Sequence, residues 1–119
     1  MFIGEASKLS GATQRAIRLY ESVGLLKVSR EGKYRVYTAE NIALIKIIKE
    51  AQTLGISLSE MVVLISKQEG FDWYLVRDFL NQKYNMIENE IKNLEIKKNS
   101  ITDFQVSIDT CLKHLDSNP

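Results

Sequence analysis

Apolar positions recur along this chain with two different spacings, and the change falls near residue 70. Before it, short helical patterns alternate with glycines. Ile3, Ala6 and Leu9 share one face of a first helix over Ile3–Leu9. Ser10-Gly11-Ala12 turns the chain, and Thr13 stands where an N-cap for a second helix belongs. In that second helix Ile17 and Leu19, with Leu25 and Leu26 after Gly24, are apolar, whereas Arg15, Arg18 and Glu21 are polar. Two helices joined by so tight a turn form a helix-turn-helix candidate.

Beyond Gly24 the pattern is too irregular for a long strand. Val28, Tyr34, Val36 and Tyr37 are nevertheless good β-formers around Glu31-Gly32, which predicts a small two-stranded wing. Thr38 caps a third helix over Ala39–Leu54, ended by Gly55. Its buried face comprises Ile42, Ile45 and Ile48, broadened by Leu44, Ile47 and Ala51. Ser57-Leu58-Ser59-Glu60 is a capping box for a fourth helix through Met61, Leu64 and Ile65 to about Lys67.

From Phe71 onward there is no glycine, and the only proline is Pro119. Leu80, Tyr84, Ile87, Ile91, Leu94, Lys98, Ile101, Gln105, Ile108, Leu112 and Leu115 recur with alternating spacings of four and three, a heptad seam that is polar at Lys98 and Gln105. Asn81, Asn85, Asn89, Asn93 and Asn99 lie off it. A helix of about 35 residues, roughly 50 Å long at the standard rise, follows. So long a stripe exceeds what a domain of 70 residues can cover, and a matching helix from a second copy is the expected partner. The expected fold class is therefore all-α, mainly helical. A winged helix-turn-helix domain occupies residues 1–70 and a coiled-coil dimerisation helix with a short tail occupies 71–119.

Charge sharpens the picture. The formal net charge of the 119 residues is only +1, but residues 1–70 hold ten basic and seven acidic side chains against six and eight in the remainder. Between Thr13 and Tyr37 lie six cations (Arg15, Arg18, Lys27, Arg30, Lys33, Arg35) and two acids (Glu21, Glu31). Tyr20, Tyr34 and Tyr37 are interleaved with them. A short exposed helix followed by a basic hairpin suits the major groove of DNA and its flanking phosphates, while a solvated charged face is the plainer reading. A single cysteine, Cys111, rules out an intrachain disulfide or a multi-thiolate cage within one chain. Cys111 and His114, at i and i+3, fall on one helical face as two soft ligands, a poor metal site that only groups from a second chain would complete. No cofactor motif is present, and one His and one Cys without a base constellation exclude most enzyme chemistry. MFIGEAS resembles no signal peptide, no apolar run spans a bilayer, and a cytoplasmic protein is expected. Phe71, Trp73, Tyr74 and Phe79 at the junction read as hinge packing, or as the lining of a small apolar pocket.

In this order, these segments resemble the MerR family of bacterial transcriptional regulators. The resemblance rests on Ile3-Gly4-Glu5-Ala6, on Arg15-Ala16-Ile17-Arg18-Leu19-Tyr20-Glu21 with Gly24-Leu25-Leu26, and on Tyr34-Arg35-Val36-Tyr37-Thr38. It continues through Ala51-Gln52-Thr53-Leu54-Gly55-Ile56-Ser57-Leu58 with Glu60, thus covering nearly all of residues 2–68. It implies that Thr13, Gln14 and Arg15 meet base edges and that Arg18 and Tyr20 hold phosphates. It also implies that Tyr34 and Arg35 grip the backbone beside the groove, with Arg30, Lys33 and Tyr37 in the same basic, aromatic wing. The family's homodimers bind a palindromic promoter operator with an overlong spacer and distort it so that RNA polymerase engages, a partnership made through the DNA. Two departures stand out: the paired aromatics usual in the recognition helix are here Leu19-Tyr20, and the wing lacks the family's common prolines. The family's metal sensors add a cysteine beyond the long helix and a second in a following loop, whereas no second cysteine follows Cys111. A coiled-coil adaptor with little affinity for DNA is the competing reading, since a heptad seam serves protein partners equally well.

Overall fold

A computed structural model describes residues 1–66 and 70–117. It divides into two units, Met1–Val76 and Arg77–Pro119, and each is taken by itself.

The first unit begins with α1 (Ile3–Ser10) and α2 (Gln14–Ser22), the helix-turn-helix pair. Gly11 ends α1 in the left-handed region at φ 75°, where its N–H bonds to the Ser7 carbonyl. Three side chains lock the turn that follows. Ser7 Oγ donates to the Ala12 carbonyl at 2.6 Å, Ser10 Oγ accepts from the Ala12 N–H at 3.2 Å, and Lys49 Nζ from α3 donates to the Gly11 carbonyl at 2.5 Å. Thr13 then caps α2 by accepting from the Ala16 N–H at 3.1 Å. Helix α3 (Ala39–Thr53) starts at a reciprocal capping box of Thr38 and Asn41, and α4 (Leu58–Val63) at one of Ser57 and Glu60.

Between α2 and α3 lies the wing. Strand β1 (Ser29–Glu31) pairs antiparallel with β2 (Tyr34–Val36), in the register Ser29 to Val36, Arg30 to Arg35 and Glu31 to Tyr34. The two-residue loop is Gly32-Lys33. Glycine at its first position takes φ 61°, as a tight hairpin loop of the II′ kind demands.

The core of this unit is formed by Ala6, Ala12, Ile17, Tyr20, Leu25, Leu26, Tyr37, Ile42, Ile45, Ile48, Ile56, Met61 and Leu64. Several expectations are corrected. Leu9 is 50% exposed and Ile3 only partly covered, so α1 packs through Ala6 and Ser10 instead. Small residues at i and i+4 allow α1 to approach α2 and α3 closely, leaving Leu9 outside the contact. The face of α3 is also narrower than expected, because Ile47 is 48% exposed while Leu44 and Ala51 are partly covered. Helix α4 stops at Val63. Ile65-Ser66 form strand β3, paired with β4 (Gly70–Phe71) in a hairpin that periodicity did not reveal; Lys67 lies outside the described residues. Asp72 fastens that hairpin to the next helix: its N–H donates to the Leu64 carbonyl at 3.0 Å, and its side chain accepts from the Leu75 N–H at 3.2 Å.

Helix α5 runs from Trp73 to Ser117, 45 residues rather than about 35, because it starts at Asp72 and not at the first heptad position. The junction aromatics make ring contacts, Phe71 against Trp73 at 5.5 Å and Lys83 over Phe79 at 5.4 Å. Trp73 and Tyr74 remain mostly exposed. Among the described residues no helix is long and apolar enough to cross a membrane.

Two tyrosines anchor the first unit and differ in one respect. The Tyr20 hydroxyl donates to Gln52 Oε1 at 2.6 Å, whereas the buried Tyr37 hydroxyl has no hydrogen-bond partner among the described residues. Tyr20→Phe is expected to cost about 1 kcal/mol. Tyr37→Phe removes a hydroxyl that gains nothing from its burial, and it should hold or raise the melting temperature. Thermal unfolding of the two variants checks this, and a larger loss for Tyr37→Phe would contradict the assignment.

Candidate nucleic-acid interface

Because Ile17 and Tyr20 turn inward, α2 presents its opposite face to solvent. Thr13, Gln14, Arg15 and Arg18 are all exposed. The Thr13 hydroxyl spends an acceptor site on the cap and keeps its proton for donation. Gln14 and Arg15 carry side chains able to bond two atoms of one base edge at once. Leu19, which stands where the family's usual pair has an aromatic, is 47% exposed.

The wing gathers charge in an unfavourable way. Arg30 and Arg35 stand directly opposite each other, an arrangement that costs a hairpin stability unless an anion offsets it. Glu21 on α2 supplies part of that offset, with Arg35 Nε donating to Glu21 Oε2 at 2.5 Å. This one contact ties the wing to α2 and uses a single one of the five N–H donors on the guanidinium. Beside it, Phe2, Ile3, Arg18, Lys33, Tyr34 and Arg35 line a cleft of about 140 Å³. Three cations and a phenol at the mouth of one cleft match the needs of phosphate oxygens. Arg30 and Tyr34 are themselves exposed, Tyr34 by 67%.

Two residues expected on this face are placed elsewhere. Tyr20 is 2% exposed and Tyr37 1%, so neither phenol is offered to a ligand. Tyr20 holds α2 to the end of α3, and the Tyr37 backbone N–H donates to the Met1 carbonyl at 2.7 Å. Burial raises the Tyr20 pKa. Burial is also the main cause of the raised Tyr37 pKa, with Glu21 adding to it and Arg35, Arg18 and Arg30 opposing it. Sequence reasoning missed Lys49 and Gln52 as supports of α2 and the turn before it. Gln52 lies within a motif segment, but its bond to Tyr20 spans 32 residues.

The seam residues Leu80, Tyr84, Ile87, Ile91, Leu94, Ile101, Ile108 and Leu112 are all on α5 and all 44–63% exposed in the single chain. Cys111 is a free, exposed thiol. No group of three or more His, Cys, Asp or Glu side chains is placed to hold a metal ion among the described residues.

A helix-turn-helix with an exposed second helix, flanked by a basic wing, defines a DNA-binding protein of the winged-helix class. Residues 1–68 match the model of the MerR HTH family of regulatory proteins. The HTH-type transcriptional regulator HmrR of Rhizobium leguminosarum is 35% identical over 97 residues, covering 79% of this chain and 75% of the relative. The heavy metal-dependent transcription regulator 1 of Rhizobium meliloti is 32% identical over 121 residues, covering 99% of this chain and 76% of that protein. A crystal structure of a MerR family regulator from Listeria monocytogenes aligns with a TM-score of 0.58 at 25% identity, over 98% of this chain and 94% of that one. The lead(II) complex of PbrR691 from Ralstonia metallidurans shares the fold, with a TM-score of 0.61 at 20% identity over 87% of this chain and 83% of that one.

The chain belongs to the MerR family. It is a DNA-binding transcriptional regulator and not an enzyme, and membership of the family disfavours the adaptor reading.

Both buried phenols stay protonated in the fold at a pH where the unfolded chain ionises. Stability should therefore be level below about pH 10, the ordinary tyrosine value, and fall as the pH rises beyond it. Thermal melts across that range check the sign, and Tyr20→Phe and Tyr37→Phe should each flatten the alkaline decline.

Proposed function

We propose that this regulator binds, as a homodimer, a two-fold symmetric operator within a promoter, in the cytoplasm where that DNA lies. Thr13, Gln14 and Arg15 enter the major groove at the start of α2 and meet base edges. Arg18, Lys33, Tyr34 and Arg35 close around a backbone phosphate at the cleft, with Arg30 on the neighbouring strand. Tyr20 and Tyr37, the latter beneath the wing, act from behind by holding this surface in shape. The observation that carries the reading is Arg30 facing Arg35 beside Arg18 and Lys33. Such a concentration of like charge is self-repelling on its own and favourable only against a polyanion.

Dimerisation falls to α5. A row of apolar side chains this exposed is unfavourable in water, and a second copy in heptad register covers it. Lys98 and Gln105 within the seam restrict which registers are tolerated. Two half-sites held by one dimer provide the leverage to bend or untwist the DNA between them. RNA polymerase then responds to the altered promoter rather than to a dedicated surface of the regulator.

Selection of genomic fragments on the purified chain near physiological salt, followed by sequencing, should return a promoter site with a two-fold axis. Fragments no better than background would overturn the reading. On the recovered site, Arg18→Ala should weaken binding to every sequence and lower the salt slope by about one unit. Arg15→Ala should instead relax base preference at one position of each half-site. Equal losses on all sequences for both variants would remove Arg15 as a reader.

Ile91→Lys places a charge in the middle of the seam and is expected to shift the protein to monomer in sedimentation velocity. A sedimentation coefficient unchanged from wild type would mean that α5 is not the dimer contact.

A further inference from the structure

Among the described residues, four of the five helices begin with a side chain that caps them: Thr13, Thr38, Ser57 and Asp72. Helix α1 does not. Its N-cap is Phe2, at φ −91° and ψ 173°, the extended geometry a capping Ser or Thr adopts, yet no side-chain bond is made. An aromatic ring at that position offers the helix nothing, and over half of its surface is exposed.

What the ring touches explains its place. Phe2 packs against Tyr34 with ring centroids 5.6 Å apart and an interplanar angle of 55°. The same two rings line the cleft that holds Arg18, Lys33 and Arg35. The backbone on either side is fixed: the Phe2 carbonyl accepts from the Ala6 N–H at 3.0 Å, and the Met1 carbonyl accepts from the Tyr37 N–H at 2.7 Å. The segment before α1 is thereby strapped to the exit of β2, and its ring backs the one exposed phenol of the wing.

Resting on the DNA-binding reading above, we propose that Phe2 is a positioning residue for DNA binding. It holds the Tyr34 phenol at the mouth of the cleft and walls the cleft on its apolar side. Phosphate bound there meets Arg18, Lys33 and Arg35 across a space partly shielded from water, which strengthens each attraction. Without the ring, Tyr34, already mostly exposed, is free to leave the cleft, and the phosphate contact it makes is lost.

Phe2→Ser separates this role from a structural one. Serine supplies the missing cap and should keep or raise the melting temperature of the full-length protein. Binding to a fluorescein-labelled duplex of mixed sequence at low salt should nevertheless weaken several-fold, with the salt slope little changed because the phenol carries no charge. Phe2→Tyr should restore the affinity. In a Tyr34→Ala background, Phe2→Ser should cause no further loss. The inference is overturned if Phe2→Ser binds like wild type, if its loss persists undiminished without Tyr34, or if melting temperature and affinity fall together. Wild-type protein that fails to bind the duplex overturns the DNA-binding reading along with this inference. If wild type binds and Arg18→Ala weakens it while Phe2→Ser does not, only the role of Phe2 falls.

Discussion

A nine-residue helix cannot persist by itself in water, and α2 depends entirely on what it is packed against. Only Ile17 and Tyr20, three positions apart, are buried; Ala16 and Glu21 are half-buried, and Gln14, Arg15, Arg18, Leu19 and Ser22 are exposed. The Tyr20 hydroxyl on Gln52 adds a directional bond to the hydrophobic contact, so the angle of the helix is set as well as its depth. Lys49, also from α3, stiffens the turn that leads into α2. The exposed face of α2 is thus the reverse side of a small packing surface, and its placement derives from α3.

Electrostatics works against the fold at the same place. Cations from α2 and from both wing strands crowd one face, with Arg30 and Arg35 in direct opposition. Glu21 is the acid that reaches into this group, and it binds Arg35 through Nε alone. Water and salt screen the remaining repulsion in the free protein, and a polyanion reverses its sign on binding. A net charge of +1 conceals this, since the acids of the second half of the chain cancel the surplus in the total and not at the surface.

The long helix poses the opposite problem, with apolar groups in water rather than charges beside charges. Its heptad residues would be a liability in an isolated chain, and the second copy proposed above would cover them. The two units thus meet different physical demands: an anion for the first and an apolar partner helix for the second.

Much of this was legible in the residues because it is local. Thr13, Thr38 and Ser57 cap the helices they were expected to cap, Gly32 turns the wing, and the seam falls on one continuous helix; each follows from contacts within a few positions along the chain. The tertiary structure decided what depended on distant partners. Tyr20, Tyr34 and Tyr37 look alike in a basic, aromatic stretch, yet two are core and one is surface, a division made by Gln52, the segment at Met1-Phe2 and the packing of α3. Leu9 is exposed because close helix approach favoured Ala6 and Ser10, Ile47 lies off the face of α3 formed by Ile42, Ile45 and Ile48, and the β3–β4 hairpin is too short to leave a period. Helix caps, turns and heptads are written in residues near one another in sequence. Which side of a short helix faces the core is settled only when residues far apart in the chain come into contact.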